Sequence, residues 1–345
     1  MQMETETETK PAGRWAGVRR WLPGLVISLI AIIVVANVID WNELVKALTS
    51  FNPIYVALTV LATILFLLAR GMAVKTLLED KVSFRQGFFA VNIGYFLNNI
   101  FPLRMGEVGR AVMLGQASGL RTMHVLSTII IERAFDLAIA AGLMLSTLPL
   151  ALEMDWARPV AMITLAVVVA MLAAMYFAAR YRDTVHNWVH WLGKRIPLID
   201  RLLLPQMDAL LRGLAVLVQP KRFLLSLFWI GLSWLIAVLE YYVLLLSLEP
   251  NAPLWWGAFV DSVLALGIAV PSAPGAIGVF EAAVVGAMSI LGFTPEQGLA
   301  YAVIVHFQQW VITAVLGVYG LVSQGQSITS FFKNIRTRAE ARDNE

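Results

Sequence analysis

The chain has no cysteine among its 345 residues, which excludes disulfides and thiolate chemistry. It has only four histidines, His124, His186, His190 and His306, and nothing like an HExxH spacing, so no metal site is expected. His186 and His190 stand four apart, but in a Trp-rich polar stretch. Charge is scarce as well. Asp, Glu, Lys and Arg make up 14% of the residues, where a soluble domain carries about 25%. The net charge of +3 is too small to suggest nucleic acid. What is there instead is apolar: 59% of the residues, with a mean hydropathy of +0.74. The expectation is an all-α, polytopic protein of the cell membrane with no cofactor.

A bilayer core takes about 20 apolar residues per helix. Leu22–Ile39, Pro53–Ala69 and Pro159–Ala179 meet that without a charge. Val125–Leu152 carries Glu132, Arg133 and Asp136, Phe223–Leu248 carries Glu240, and Leu299–Val322 carries His306. These are six expected full spans. No cleavage site follows the first, so a signal peptide is not expected. Residues 1–20 and 326–345 read as polar cytoplasmic tails, with 21–325 as the membrane domain.

Orientation follows from the basic residues. With the N-terminus inside, every Lys and Arg except Lys46, Arg133 and Arg158 lies on the cytoplasmic side. The topology is read as N-in and C-in. Residues 181–221, with Trp188, Trp191, Lys194 and Arg195, read as amphipathic helices on the inner leaflet.

Two regions break the pattern. Phe88–Phe101 is too short to cross and leads into PLRMGEVGR, Pro102–Arg110. Trp255–Val270 and Ala276–Phe293 are short and joined through AVPSAPGAIGVFE, Ala269–Glu281. Charge bookkeeping makes the first a hairpin from the cytoplasm and the second a hairpin from outside. Two ordinary spans meeting at a turn fit the second equally by parity, giving about eight membrane segments. Paired interrupted segments point to a transport site at an inverted-repeat interface. Proline removes a donor and glycine permits left-handed backbone, so such breaks survive only where protein or water covers them. A helix restarting near Gly275 would offer free amides to a phosphate. Pro274, Gly275 and Gly278 account for the break; Glu281 is left unexplained by it.

NNIFPLRMGEVGRAVML (Asn98–Leu114), IIIERAFDL (Ile129–Leu137) and AVPSAPGAIGVFEAAVV (Ala269–Val285) resemble the lysylphosphatidylglycerol synthetase transmembrane-region family of flippase-like proteins. The resemblance covers about residues 20–325. In bifunctional members it implies translocation of an aminoacylated phospholipid made by a soluble domain. No such domain is expected here, hence no lysyl transfer from tRNA. Some archaeal relatives are linked to glycosylation on polyprenyl lipids. Relatives often carry an arginine in the last span, where this chain has HFQQW, His306–Trp310.

Glu132 and Asp136 share one face of their helix, and Arg133 lies three before Asp136. One acid and the base cancel, leaving a negative charge for Arg104 or Arg110 to meet. A structural ion network and direct contact with a headgroup both fit. Arg104 and Arg110 are suited to hold a phosphate bidentately, or to anchor the segment at the interface. Glu107, Glu132, Asp136 and Glu281 would balance cationic groups or carry protons, with Asp261 as a further cavity residue. Asn92, Tyr95 and Asn99 form a polar stripe, lining a cavity or bonding another helix. Glu240, beside two tyrosines, reads as an outer-interface residue. The reading is a translocator of phosphate-headgroup lipid, with a membrane enzyme of lipid-linked glycosyl transfer or a subunit partnering a lipid-modifying enzyme as alternatives. With no DxD and short outer loops, an enzyme is the weaker reading.

Overall fold

A computed structural model describes residues 15–101, 105–151, 157–193, 195, 207, 211, 213–270 and 272–323. Residues 1–14 of the expected N-terminal tail, the expected C-terminal tail, Arg104 and most of 194–212 lie outside that set, while residues 15–20, expected as tail, already belong to the first helix. Twelve α-helices and no strand occur among the described residues. They are α1 (Trp15–Val38), α2 (Trp41–Ser50), α3 (Pro53–Leu77), α4 (Phe84–Ile100), α5 (Met105–Ser118), α6 (Thr122–Ala151), α7 (Ala157–Arg180), α8 (Arg182–Gly193), α9 (Pro220–Leu245), α10 (Leu254–Gly267), α11 (Val279–Ile290) and α12 (Pro295–Ser323).

Local chemistry sets the starts. Asp40 caps α2, accepting from the amide of Asn42 at 2.8 Å. Asn52 caps α3 just before a proline, which lacks the amide that would need a partner. Ser83 and Gln86 close a reciprocal capping box on α4.

Four helices, α3, α6, α9 and α12, are long and apolar enough to cross a membrane. The apolar part of α1 reaches that standard only together with α2, from which it is bent by 92°. The expected outer loop Asp40–Asn52 is therefore mostly a helix. Of the six expected spans, the one at Pro159–Ala179 is helical as α7, with only part of its side chains described. The burial pattern is inverted relative to a soluble protein. Ile54, Leu58, Leu61 and Leu65 of α3 and Phe307, Val315 and Val322 of α12 are exposed, while Thr59, Thr63, Arg70, His306, Gln308 and Thr313 are buried. An apolar outside around a polar inside suits lipid as solvent.

Both irregular regions are helical hairpins. The 17 residues of α4 reach about 25 Å, short of a core of about 30 Å; the 14 of α10 and 12 of α11 reach still less. The arms of the first hairpin touch where Gly106 packs on the backbone of Gly94, a contact that leaves no room for a Cβ. Asn98 accepts from the Gly106 amide at 2.8 Å. Gly317 and Gly320 then let α12 lie closely on Phe96 and Phe89 of α4. The two hairpins meet: α4 touches the turn at Pro274–Ala276.

Candidate functional site

Helix α6 runs between two apolar clusters, with Ile131 and Phe135 in one and Val125 and Ile129 in the other. That register holds Glu132 and Asp136 between them. Both carboxylates are met by arginine. Arg110 of α5 binds Glu132 with both guanidinium nitrogens, at 2.7 and 3.4 Å. Arg133 reaches Glu132 at 2.9 Å and Asp136 at 3.2 Å. The third cation is Arg70 of α3, 2.7 Å from Asp136 and 3.4 Å from Glu132. Trp234 of α9 donates its indole N–H to Asp136 at 2.8 Å.

Counting Basic residues by loop assigned Arg70 to the cytoplasmic side; the structure buries it, with 4% of its side chain exposed. The reason is that α3 continues to Leu77, well past the apolar run. A polar stripe at Thr59, Thr63 and Arg70, spaced four and seven apart, was the available signal. The unmatched negative charge expected on α6 is thus met by two arginines, Arg70 and Arg110. Glu107 lies 3.8 Å from Arg133 Nε and brings the network to three cations and three carboxylates. Arg133 and Glu107 form its open edge, with 28% and 26% of their side chains exposed. Arg133 Nε has no hydrogen-bond acceptor among the described residues.

At the second hairpin the chain is non-helical around a single 3-10 turn. Gly275, Ala276 and Gly278 have φ of 66°, 57° and 84°. A Cβ at Gly275 would overlap the Trp310 indole, and one at Gly278 would lie 2.7 Å from the Ser28 carbonyl. Helix α1 covers the break, with Ser28 Oγ accepting from the Ala273 amide at 2.8 Å. The new helix starts at Val279, not near Gly275. One amide at its start is already engaged, because Glu281 Oε2 accepts the Gly278 N–H at 2.7 Å. Capping thus explains one oxygen of Glu281. The other is 2.7 Å from His306 Nδ1, and His306 Nε2 is 2.9 Å from the Gly275 carbonyl. That carbonyl needs Nε2 to donate, so the Glu281–His306 contact holds a proton on one side or the other. Phe280 stacks on the imidazole at 4.0 Å.

Asp261 is buried on α10, and its Oδ2 has no partner among the described residues. Glu240 is buried too, at 2% exposure. Its Oε1 is approached by Thr63 at 2.9 Å and by Gln308 and Gln309 at 3.2 Å each. Along α4, Asn92 donates to the Phe88 carbonyl at 2.8 Å and Asn99 to Thr313 of α12 at 3.2 Å. Tyr95 lies within electrostatic range of Arg70 and Arg133. Helix α8 leaves Trp188 and Trp191 exposed, with the Arg195 guanidinium 4.2 Å over the Trp191 ring. No group of three or more metal-ligating side chains occurs among the described residues.

Against known proteins, residues 21–317 match the family described as the lysylphosphatidylglycerol synthase TM region. A UPF0104 membrane protein of Methanothermobacter thermautotrophicus is 22% identical over 333 residues, covering 89% of this chain and 96% of that one. A second UPF0104 membrane protein, from Methanocaldococcus jannaschii, is 32% identical over 120 residues, 33% of this chain and 36% of its own. Glycosyltransferase AglD of Haloferax volcanii is 24% identical over 361 residues, covering 93% of this chain and 57% of that protein. No solved structure matches.

Proposed function

Because the chain belongs to the lysylphosphatidylglycerol synthase transmembrane-region family, we propose that this multi-pass membrane protein moves a phosphate-headgroup lipid between leaflets of the cell membrane. The observation that carries the reading is the ion network of Arg70, Arg110, Arg133, Glu107, Glu132 and Asp136, buried at Arg70, Arg110 and Glu132 and open at Arg133 and Glu107. A mid-membrane charge costs about 2.5–3.5 kcal/mol on insertion scales, so six of them imply a use. A lipid phosphate would dock on Arg133, whose side chain is the most exposed of the three arginines. A cationic group on the same headgroup would turn to Glu107. Arg110, engaged on Glu132, would hold the network in place rather than clamp the phosphate by itself.

The two hairpins would form opposite walls of the path, entering from opposite sides, in the N-in, C-in topology expected from the basic residues. A cysteine introduced at Asn187 tests that orientation. It should resist an impermeant thiol reagent in intact cells and react after permeabilisation; reaction in intact cells would reverse the topology.

Likeness to glycosyltransferase AglD favours a second reading, in which the chain presents a polyprenyl-phosphate lipid to a partner enzyme. Reconstitution into liposomes with labelled phospholipids and polyprenyl phosphates separates the two. Movement of lipid between leaflets, lost in Arg133→Gln at unchanged protein yield, is the expected result. If no lipid in the panel moves, translocation is wrong.

A further inference from the structure

Glu240 and Asp261 are buried carboxylates with no arginine, lysine or histidine paired to them among the described residues. A second observation sets Glu240 apart. Thr63 Oγ1 lies 3.0 Å from the Thr59 carbonyl and 2.9 Å from Glu240 Oε1. A hydroxyl has one hydrogen, so it serves one of these acceptors at a time. When Thr63 donates to Glu240, the carboxylate is charged and is held by Thr63, Gln308 and Gln309. When Thr63 donates back to its own helix, the 2.9 Å contact needs a hydrogen from Glu240, and the carboxyl is neutral. Thr59, one turn away, does not alternate in this way: its 2.8 Å contact with the acceptor Gln308 Oε1 takes the hydroxyl hydrogen and orients the Gln308 amide N–H toward Glu240. The Thr63–Glu240 contact therefore has two hydrogen-bond arrangements that differ by one proton on Glu240.

The surrounding groups permit this. From α10, Asp261 faces the cluster within electrostatic range of Glu240, and its Oδ2 is unpartnered. On α9 itself stands Tyr241, 3.5 Å from the amide of Gln309. From α12 come the Tyr301 hydroxyl, spent on the Tyr241 carbonyl, and His306, turned away to Glu281. On α3 the nearest charge is Arg70, which pairs with Asp136 of α6. No fixed cation compels Glu240 to stay ionised.

We propose that Glu240 is an exchangeable proton site, with Asp261 as its acidic neighbour, and that occupancy of this site is linked to lipid movement. The step is a carboxylate taking up one proton from water and returning it, with no other reactant. The proton site stands on the geometry alone; its linkage to lipid rests on the translocation reading.

Two measurements on the full chain in liposomes test them separately. Infrared difference spectra across a pH series should show a carboxylic-acid C=O band that disappears in Glu240→Gln and shifts in Glu240→Asp. The aspartate variant keeps the test decisive if the glutamine variant fails to fold. A band unchanged in both variants, or none in the wild type, overturns the site. For linkage, a gradient of one pH unit should bias the lipid distribution by up to roughly tenfold per coupled proton. That bias should vanish in Glu240→Gln. Lipid movement indifferent to the gradient overturns the linkage. A band that behaves as expected in a protein that moves no lipid supports the proton site and rejects translocation.

Discussion

The carboxylates of α5 and α6 and those of α9, α10 and α11 are held in opposite ways. Glu132 and Asp136 are ringed by three guanidinium groups and an indole N–H. Glu240 and Glu281 meet threonine, glutamine, a backbone amide and one histidine, and Asp261 Oδ2 meets no partner among the described residues. The first arrangement fixes charge, because an arginine does not release its proton. The second lets charge change with a single proton. One half of the interior is built to keep its ions and the other to tolerate losing them.

The sharpest way to break this contrast is Arg70→Leu. It leaves Asp136 and Glu132 buried with one cation fewer, and breaking a buried pair costs about 3–5 kcal/mol. Membrane yield and thermal stability in detergent should both fall. Arg133→Leu should cost less, because Arg70 and Arg110 stay on the two carboxylates and Arg133 is partly exposed. The reverse order would show that the network is centred on Arg133 instead.

Next in size is Gly106→Ala. The added Cβ has no room against the Gly94 backbone, so the arms of the first hairpin must part, at about 1–3 kcal/mol for overpacking. Thermal stability should drop while the α6 ion pairs remain. A variant as stable as wild type would mean that the arms are not clamped together.

Glu281→Gln should be milder. The amide oxygen can still accept the Gly278 N–H, so stability should change by about 1 kcal/mol or less. Lipid movement should nevertheless be lost, since the proton shared with His306 goes with the carboxylate. Normal movement by a stable Glu281→Gln protein would remove this residue from the mechanism. Smallest of all is Lys46→Ala on α2, whose pair with Glu43 is exposed. It should shift stability by no more than about 0.5 kcal/mol, and a larger fall would mean that α2 packs more firmly than its exposure implies.

How far the sequence reveals this depends on whether a feature is local. The broken second hairpin was legible because Pro274, Gly275 and Gly278 state it within five positions. The face shared by Glu132 and Asp136 was legible from helical spacing. Arg70 was not, because its partners lie 62 and 66 residues away and its own neighbourhood looks like the polar end of a span. The partners of Glu240 were hidden for a similar reason: Thr63 is 177 residues distant, and Gln308 and Gln309 are 68 and 69. The role of Glu281 was half visible. An acid at the third helical position is a capping signature, but the register was misread once the helix was started at Gly275.

The cover that α1 forms over the break has a consequence for how the chain is made. Ser28 receives the Ala273 amide across 245 residues, and Glu296 accepts from Asp40 across 256. Synthesis runs from the N-terminus, so α1 is made well before the residues at Ala273 and Glu296 that the segment Ser28–Asp40 contacts. Until Ser272–Gly278 and Glu296 emerge, α1 can lie in the bilayer with its Ser28 hydroxyl unspent and the glycine face at Gly24 open. Helix α1 is therefore made early and seated late.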